Sequence, residues 1–321
     1  MKSGESLQIG QRVCTEDGAL ATVRYVGPVE GTKHEWAGVE WDDPSRGKHD
    51  GSHGGKRYFE CAGVGESCAS FVRFHKILAG VTFMDAMKNK YQAQSKGTSV
   101  ENAAAENMYI DAGNTGRRVD VQLVGKQDIL EKQSKLDELV SVYLPDSCVD
   151  TAGPRGEISG EAGKISELDI SGNLFEDWSA IQRFNEELPA LEHLEVSGMP
   201  LRWPDSLPAA MAFANLKTLV MNNTGVAWSQ MRHLHTVVPA LEELHLCGNQ
   251  ISSLSGTEGE PTNADCFPNL RSLFLEDNDL QTWDQVVPSQ RAALVVLRST
   301  KPSISCLPPQ HIAAIIILGS T

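Results

Sequence analysis

Cys61, Cys68 and His75 are the residues whose side chains could act together as a nucleophile with its base, or as metal ligands. They follow one another at steps of seven residues, which fits neither the CxxC spacing of zinc sites nor a known arrangement of a catalytic thiol. The run 54–57 (GGKR) lacks the spacing and the hydroxyl of a phosphate-binding loop, and no GxSxG or HExxH motif occurs. The sequence therefore predicts a protein that is not an enzyme, with no catalytic residue, metal site or cofactor.

A second pattern of distinctive residues begins at His34 and ends at Arg73. It consists of the segments Trp36-Ala37-Gly38-Val39, Gly47-Lys48-His49-Asp50-Gly51, Tyr58-Phe59 and Phe71-Val72-Arg73. In this order the segments resemble the signature of the CAP-Gly domain family of microtubule-associated proteins, in which Asn occupies the position of His49. The resemblance covers most of residues 1–80.

The resemblance implies a peptide-binding groove, because CAP-Gly domains recognise the acidic-acidic-aromatic C-terminal end of α-tubulin. Trp36, Phe59 and Phe71 would line the pocket for the terminal aromatic ring. The terminal carboxylate requires hydrogen-bond donors, and the upstream Glu side chains require a cation. For these two roles the resemblance indicates Lys48, His49, the amides of Gly51 and Ser52, and Arg73.

These residues also have structural interpretations. The three aromatic side chains could belong mainly to the core, and His49 could be an ordinary surface histidine. Asp50 is expected to brace its own turn instead of contacting a ligand. Replacing Asn by His49 removes an amide that both donates and accepts, so the substitution would weaken binding or make it depend on pH.

Short β-forming runs predict the fold that positions this groove. They lie at Arg12–Cys14, Leu20–Val26, Ala37–Trp41 and Ser70–Phe74. Gly27-Pro28, Asp43-Pro44 and Gly54-Gly55 separate them as turns. So many short strands within residues 1–80 predict a small all-β barrel or sandwich.

From residue 136 the chain repeats one pattern of apolar positions. The central apolar residues are spaced by 26, 26, 25, 25 and 29 residues, at Val142, Leu168, Leu194, Leu219, Leu244 and Leu273. Leucine-rich repeats have periods of ~20–29 residues. Residues 136–305 are therefore predicted to form an α/β leucine-rich repeat solenoid, with one short parallel strand in each repeat and a weaker copy at Leu294–Ser299.

Two other features follow the same period. Asn173, Asn249 and Asn278 close three repeats and are expected to bond the backbone of the neighbouring coil, whereas Met199 and Thr224 interrupt this series. Tryptophans recur nine or ten residues after the central leucine and are predicted to pack on the convex side, at Trp178, Trp203, Trp228 and Trp283.

The residues between the inward leucines define a predicted concave binding face. By position they are Asp169, Glu195, Val220, His245 and Phe274. The face is acidic at one end and apolar-aromatic at the other, which suits the surface of a globular protein partner. A solvated sheet face without a partner is the alternative.

The loop Gly47-Lys48-His49-Asp50-Gly51 followed by a leucine-rich array resembles the tubulin-folding cofactor E family. The resemblance continues from Thr82-Phe83 through Lys88–Tyr91 and at residues 275–283. Residues 81–135 are predicted to be a linker with short helices, at Thr82–Ala93 and Gln127–Lys135. Residues 306–321 are expected to form an atypical C-terminal tail, because they do not look like a further repeat. The ubiquitin-like domain in which the family usually ends is expected to be absent.

The charge of the chain limits its partners. The net charge is −14, of which residues 1–80 contribute only −1. No nucleic-acid partner is therefore expected, since phosphate binding needs clustered cations. The acidic remainder of the chain suits a basic partner surface. Seven irregularly spaced cysteines are expected to be reduced thiols in the cytosol. The longest apolar run, 312–318, is too short to span a bilayer, so no membrane association is expected.

The resemblance implies a non-enzymatic chaperone that binds α-tubulin and works with other tubulin-folding cofactors. It would grip the tubulin tail in the groove and the body on the repeats, and assemble or take apart the αβ heterodimer in the cytoplasm, close to the cytoskeleton. One alternative is a cytoskeletal linker that uses the same groove on polymerised microtubules. Another is an enzyme with an unrecognised thiol or metal site.

Overall fold

The computed structural model describes residues 7–61, 67–92, 109–112, 117–120, 134–203, 213–234, 237–254, 267–280, 294–297 and 315–317. Residues 7–78 form an antiparallel β domain, here called the N-terminal domain. Its strands are β1 (Arg12–Thr15), β2 (Leu20–Pro28), β3 (Glu35–Trp41), β4 (Ser52–His53), β5 (Lys56–Arg57), β6 (Ala69–Val72) and β7 (Ile77–Leu78).

Five of these strands form one sheet in the order β6-β3-β2-β1-β7, and β4 pairs with β5 in a small hairpin. The predicted runs lie in β1, β2, β3 and β6, but the last strand ends at Val72, and a 3₁₀ turn over Phe74–Lys76 follows it. Because side chains alternate along a strand, Ala37, Val39 and Trp41 face the domain core. The even-numbered residues of β3 point to the opposite face.

A short segment joins the N-terminal domain to the repeats. It contains β8 (Val81–Thr82), α1 (Phe83–Met87) and a π turn over Lys88–Gln92. The Thr82 hydroxyl caps α1 by accepting from the Asp85 amide at 3.1 Å. The buried side chains of α1 belong to the core of the repeats, so this part of the predicted linker is packed against them.

Three hydrogen bonds tie this segment to the first repeat strand. The Tyr91 hydroxyl accepts from the Tyr143 amide at 2.9 Å and lies 3.4 Å from the Tyr143 carbonyl. The Lys90 ammonium donates to the same carbonyl at 2.6 Å. Further along, β9 (Tyr109–Ala112) and β10 (Arg117–Asp120) pair antiparallel. The helix predicted at Gln127–Lys135 lies mostly outside the described residues.

The rest of the described chain, here called the repeat domain, is built on one parallel sheet of eight strands. The strands are β11 (Ser141–Tyr143), β13 (Glu167–Asp169), β14 (His193–Glu195), β15 (Thr218–Val220), β16 (Glu243–His245), β17 (Ser272–Phe274), β18 (Leu294–Leu297) and β19 (Ile315–Ile317). Outside this sheet lie β12 (Val149–Thr151) and the helices α2 (Glu157–Ala162), α3 (Trp178–Glu187) and α4 (Trp228–Leu234).

The strand register aligns the repeats. The six predicted central residues, from Val142 to Leu273, occupy one row across the sheet and are essentially inaccessible to solvent. The row continues through Val295 of β18 to Ile315 of β19. Within the predicted C-terminal tail, the described residues Ile315–Ile317 form the last strand of this sheet.

Asparagine side chains bond the coils between strands, as the sequence predicts. Asn173 is fully buried, and its oxygen accepts from the amides of Ser147 at 3.1 Å and Val149 at 2.8 Å. Its nitrogen donates to the Leu144 carbonyl at 2.8 Å. At one interruption, the Thr224 hydroxyl donates to a backbone carbonyl at 3.1 Å.

The tryptophans of the series pack into the core of the repeat domain where the structure describes them. Trp178 and Trp228 are buried at the starts of α3 and α4. Trp203 stacks on Trp178 with ring centroids 4.8 Å apart. Trp283 lies outside the described residues.

A disulfide joins the two domains between Cys14 and Cys148, whose Cα atoms are 6.2 Å apart. The expectation that all cysteines are reduced is wrong for this pair. Cys14 lies opposite Leu78 in the sheet, and β8 follows three residues later and pairs parallel with β12, next to Cys148. This pairing brings together two cysteines that are 134 residues apart in sequence, a proximity that spacing could not indicate.

Candidate peptide-binding groove

The groove is built on the side of β3 that faces away from the domain core. Gly38 lies opposite Phe71 of β6 and Tyr25 of β2, so that all three residues share this face. A Cβ atom at position 38 would overlap the ring of Phe59 and lie 2.9 Å from the Cβ of Tyr25. Glycine is therefore required here, because only its bare backbone lets the Phe59 ring lie directly on the sheet.

Phe71 is the centre of an aromatic cluster and is half-buried. Five rings surround it at centroid distances of 4.8 to 6.2 Å: His49, Phe59, Tyr58, Tyr25 and His53. Most meet it edge to face, which is a favourable arrangement for aromatic pairs. Phe59 is only 8% exposed, so its role is mainly structural, whereas Phe71 keeps an accessible surface.

Trp36 and Arg73 form a pair beside this cluster. The Arg73 guanidinium lies over the Trp36 ring, 3.8 Å from its centroid, in a cation–π contact. The indole nitrogen of Trp36 donates to the Thr32 hydroxyl at 2.9 Å, which fixes the ring. Arg73 thus presents a held positive charge on the same side of the sheet as Phe71.

The loop over residues 47–53 is fixed to β6. The amides of Lys48 and His49 both donate to the Ala69 carbonyl, at 2.7 and 3.2 Å. Gly47 has no room for a side chain against the Ser67 carbonyl, and Gly51 has a positive φ of 94°. The Lys48 side chain is exposed and forms no ion pair with the residues that the structure describes.

His49 takes the place of the signature Asn by bonding its own loop. Its Nδ1 accepts from the Gly51 amide at 3.1 Å, which requires the neutral ring with the proton on Nε2. Burial lowers the pKa of His49, and the nearby charges of His53 and Lys48 act in the same direction, against the opposing effect of Asp50. The neutral form is therefore favoured in the folded protein.

Asp50 braces its own turn, as predicted. Its carboxylate accepts from the Ser52 amide at 3.1 Å and from the Arg57 guanidinium at 2.6 Å. These bonds lower the pKa of Asp50, with the Ser52 contact as the main cause. Arg57 is a supporting residue that the sequence analysis did not identify.

The loop bonds change the roles predicted for two amides. Gly51 and Ser52 were expected to donate to a ligand carboxylate, but their N–H groups donate to His49 and Asp50 within the loop. Of the loop donors that the sequence predicts for the terminal carboxylate, the Lys48 ammonium and the Nε2–H of His49 are those not used by these two bonds.

Three residues of the cluster were missed by the sequence analysis: Tyr25, His53 and Tyr58. The hydroxyl of Tyr58 accepts from the Glu30 amide at 2.9 Å, and that of Tyr25 donates to the Pro28 carbonyl at 2.7 Å. Alternation along β2 does not place Tyr25 on the groove face, because Ala21 and Val23 face the core and a register shift between Val23 and Tyr25 reverses the order. The position of Tyr58 beside Phe59 in the signature was an available signal.

A different set of side chains could hold a metal ion. Donor atoms of Glu40, Cys61 and Cys68 all lie within 4.8 Å of one another. Burial and the neighbouring Cys68 raise the pKa of Cys61 to about 12, so without a metal this group is a protonated thiol at neutral pH. His75, which sequence proximity suggested, is not in this group.

The residues of the predicted concave face lie in one row across the parallel sheet, because neighbouring strands pair them in register. They are Asp169, Glu195, Val220, His245 and Phe274. Val220 is only 7% exposed, so it contributes little accessible surface. His245 stacks on Phe274 at a centroid distance of 4.0 Å. At the other end, Asp169 accepts from the Ser171 amide at 2.9 Å.

Comparison with known protein families agrees with the geometry of the N-terminal domain. Residues 9–77 match the family model of the CAP-Gly domain. The chain carries an N-terminal CAP-Gly domain. A solved CAP-Gly domain of human kinesin-like protein KIF13B is 34% identical and covers 26% of this chain and 84% of its own, with a TM-score of 0.21.

Similarity to whole proteins extends beyond the CAP-Gly domain. The chain is 37% identical over 306 residues to tubulin-folding cofactor E of Arabidopsis thaliana, covering 94% of this chain and 55% of that protein. It is 38% identical to tubulin-specific chaperone E of Xenopus laevis, and the match covers 84% of this chain and 48% of that protein. It is 35% identical to tubulin-specific chaperone E of Homo sapiens, and that match covers 87% of this chain and 50% of that protein. These proteins are homologues over most of this chain, which spans about half of their length. Within the described residues, no helix has the length and apolar character needed to cross a bilayer.

Proposed function

We propose that this chain is a non-enzymatic tubulin-folding cofactor that binds α-tubulin at two places. The acidic-aromatic C-terminal tail of α-tubulin occupies the groove of the CAP-Gly domain, and the body of the protein contacts the repeat domain. With other tubulin-folding cofactors, the chain takes part in assembling or taking apart the αβ heterodimer in the cytoplasm. The similarity to tubulin-specific chaperone E supports this proposal.

The observation that carries the proposal is an aromatic cluster that lies beside two cationic side chains and the N–H group of a neutral His49 ring. Phe71 offers a partly exposed ring for a terminal aromatic side chain. Lys48 and the Nε2–H of His49 remain available for the terminal carboxylate, and Arg73 lies on the same side of the sheet for upstream carboxylates.

We also propose that residues 136–305 are a leucine-rich repeat solenoid whose sheet face contacts tubulin. The aligned rows of Leu168 to Leu273 and the Asn173 hydrogen bonds support this assignment. A second contact linked to the groove would strengthen a modest tail affinity through effective concentration.

The test is a calorimetric titration of the full chain with two peptides. One ends in Glu-Glu-Tyr, and the other lacks the terminal Tyr. Binding of the first peptide alone is the expected result, because only the ring reaches the aromatic cluster. Lys48→Ala should weaken this binding by about 10-fold or more, as for the loss of a charge-assisted hydrogen bond.

Lys164→Ala is the matched control, since Lys164 is also exposed but follows α2 in the repeat domain. It should bind like the wild type. Equal affinity for both peptides, or none for either, would remove the tail-binding role from the proposal.

Co-sedimentation with microtubules separates the proposal from its alternative. A CAP-Gly domain also fits a cytoskeletal linker, which would sediment with polymer. The proposed cofactor should instead remain with free tubulin dimers in the supernatant.

A further inference from the structure

The side chains of Glu40, Cys61 and Cys68 form a compact donor set in the CAP-Gly domain. Two thiol sulfurs and one carboxylate oxygen lie within 4.8 Å of one another. Glu40 is 8% and Cys68 2% exposed, whereas Cys61 is half-buried.

The backbone holds the two buried donors in place. Glu40 lies in β3 opposite Ala69, the first residue of β6, so that Cys68 immediately precedes this register position. The Cys68 carbonyl accepts from the Trp41 amide at 3.0 Å. Two of the three donors are thus fixed by the same sheet that carries the groove.

We propose that Glu40, Cys61 and Cys68 bind a zinc ion. Two thiolates with one carboxylate are a donor set that Zn²⁺ accepts in tetrahedral geometry, and the fourth position would be open to water. Binding forms two Zn–S bonds and one Zn–O bond and releases two thiol protons to solvent. No electron is transferred.

The charges around the site balance when the ion is divalent. Arg24 donates to the Glu40 carboxylate at 2.7 Å. One guanidinium and one Zn²⁺ carry three positive charges, which equal the three negative charges of two thiolates and a carboxylate. The site can therefore take a divalent ion into a half-buried position without leaving an uncompensated charge.

The site adjoins the groove. Cys61 follows Phe59 by two residues, and the Phe59 ring lies on Gly38, two residues before Glu40. A bound ion would attach the chain segment that follows Phe59 to the sheet on which the Phe59 ring lies. We therefore expect zinc to stabilise the groove without contacting a peptide in it.

The experiment is a titration of the reduced, metal-free full chain with Co²⁺, whose thiolate and tetrahedral absorption bands report the ligands directly. One equivalent should bind and then be displaced by Zn²⁺. Cys61→Ser and Cys68→Ser should each lose most of the thiolate band. Glu40→Gln should keep the band and bind more weakly.

Cys247→Ser is the matched control, because Cys247 is also a free cysteine but lies in the repeat domain. Its titration should equal that of the wild type. A second measurement needs no variant: Zn²⁺ should slow alkylation of Cys61 and Cys68, mapped by mass spectrometry of peptides, and leave Cys247 unaffected.

Three results would overturn the zinc site. They are the absence of a thiolate band in the wild type, equal loss of the band in Cys247→Ser, and a Cys61–Cys68 disulfide in the freshly isolated protein. In the last case the pair would be a redox couple.

Discussion

The Nδ1 atom of His49 accepts a 3.1 Å hydrogen bond from the amide of Gly51, two residues later in the chain. An Asn side chain commonly bonds the backbone two residues on in the same way. His49 therefore preserves the turn of the signature loop although it changes the residue type. It also adds a proton-binding site to the loop, because a doubly protonated imidazole has no acceptor atom.

The first prediction concerns pH. The folded state lowers the pKa of His49 mainly through burial, so the unfolded chain takes up this proton first as pH falls. The contribution of His49 to stability is complete above the ordinary His pKa of about 6.5 and is lost as pH falls from there to the folded-state value. Titration of the His49 ring by NMR, together with peptide binding at several pH values, would measure this.

His49→Asn is the informative variant, since it keeps the acceptor and removes the proton-binding site. It should bind the Glu-Glu-Tyr peptide with little change between pH 5 and 7, values on either side of the ordinary His pKa of about 6.5. A wild-type chain whose affinity is equally flat over this range would contradict the role given to Nδ1.

The second prediction concerns Gly38. Gly38→Ala places a methyl group within the ring of Phe59, so it should lower the free energy of unfolding by about 1–3 kcal/mol and weaken peptide binding. Gly160→Ala is the control, because that position in α2 has open space around its Cβ and alanine favours helices. Denaturant unfolding of both variants is the measurement, and equal effects would argue against the packing described.

The third prediction concerns the buried amide of Asn173. Asn173→Ala leaves the Ser147 and Val149 amides and the Leu144 carbonyl without their partner. The expected loss is on the order of 3 kcal/mol of unfolding free energy. Asn215→Ala, which removes one exposed bond to the Pro189 carbonyl, should cost less than about 1 kcal/mol. A small effect of Asn173→Ala in thermal unfolding would show that water replaces the amide.

The fourth prediction concerns the link between the domains. Non-reducing peptide mapping should recover Cys14 joined to Cys148. Cys148→Ser should lower stability by roughly 2–4 kcal/mol, as is typical for a disulfide, and should make cleavage near β8 faster in limited proteolysis. Cys247→Ser should have neither effect. Recovery of Cys14 as a free thiol from protein kept under non-reducing conditions would contradict the link.

The sequence predicted those features that depend on local pattern. The strands of the N-terminal domain and the positions of the central leucines follow from alternation and period, and the brace formed by Asp50 follows from turn chemistry. Side chains that meet only through the fold were not predictable: Cys14 with Cys148, and Glu40 with the two thiols. The Gly51 and Ser52 amides were misassigned because a signature does not show which donors the loop already uses.

The bonds from Tyr91 and Lys90 to Tyr143 have a consequence for self-association. Tyr143 lies in β11, the first strand of the eight-stranded order, and such an outer strand offers its backbone groups to any other strand that approaches. Here the Tyr143 amide and carbonyl are already bonded to side chains of the preceding segment. A second copy of the chain therefore cannot add its own strand at this end without first displacing two side chains, which favours a repeat array that stays separate from its copies at high concentration.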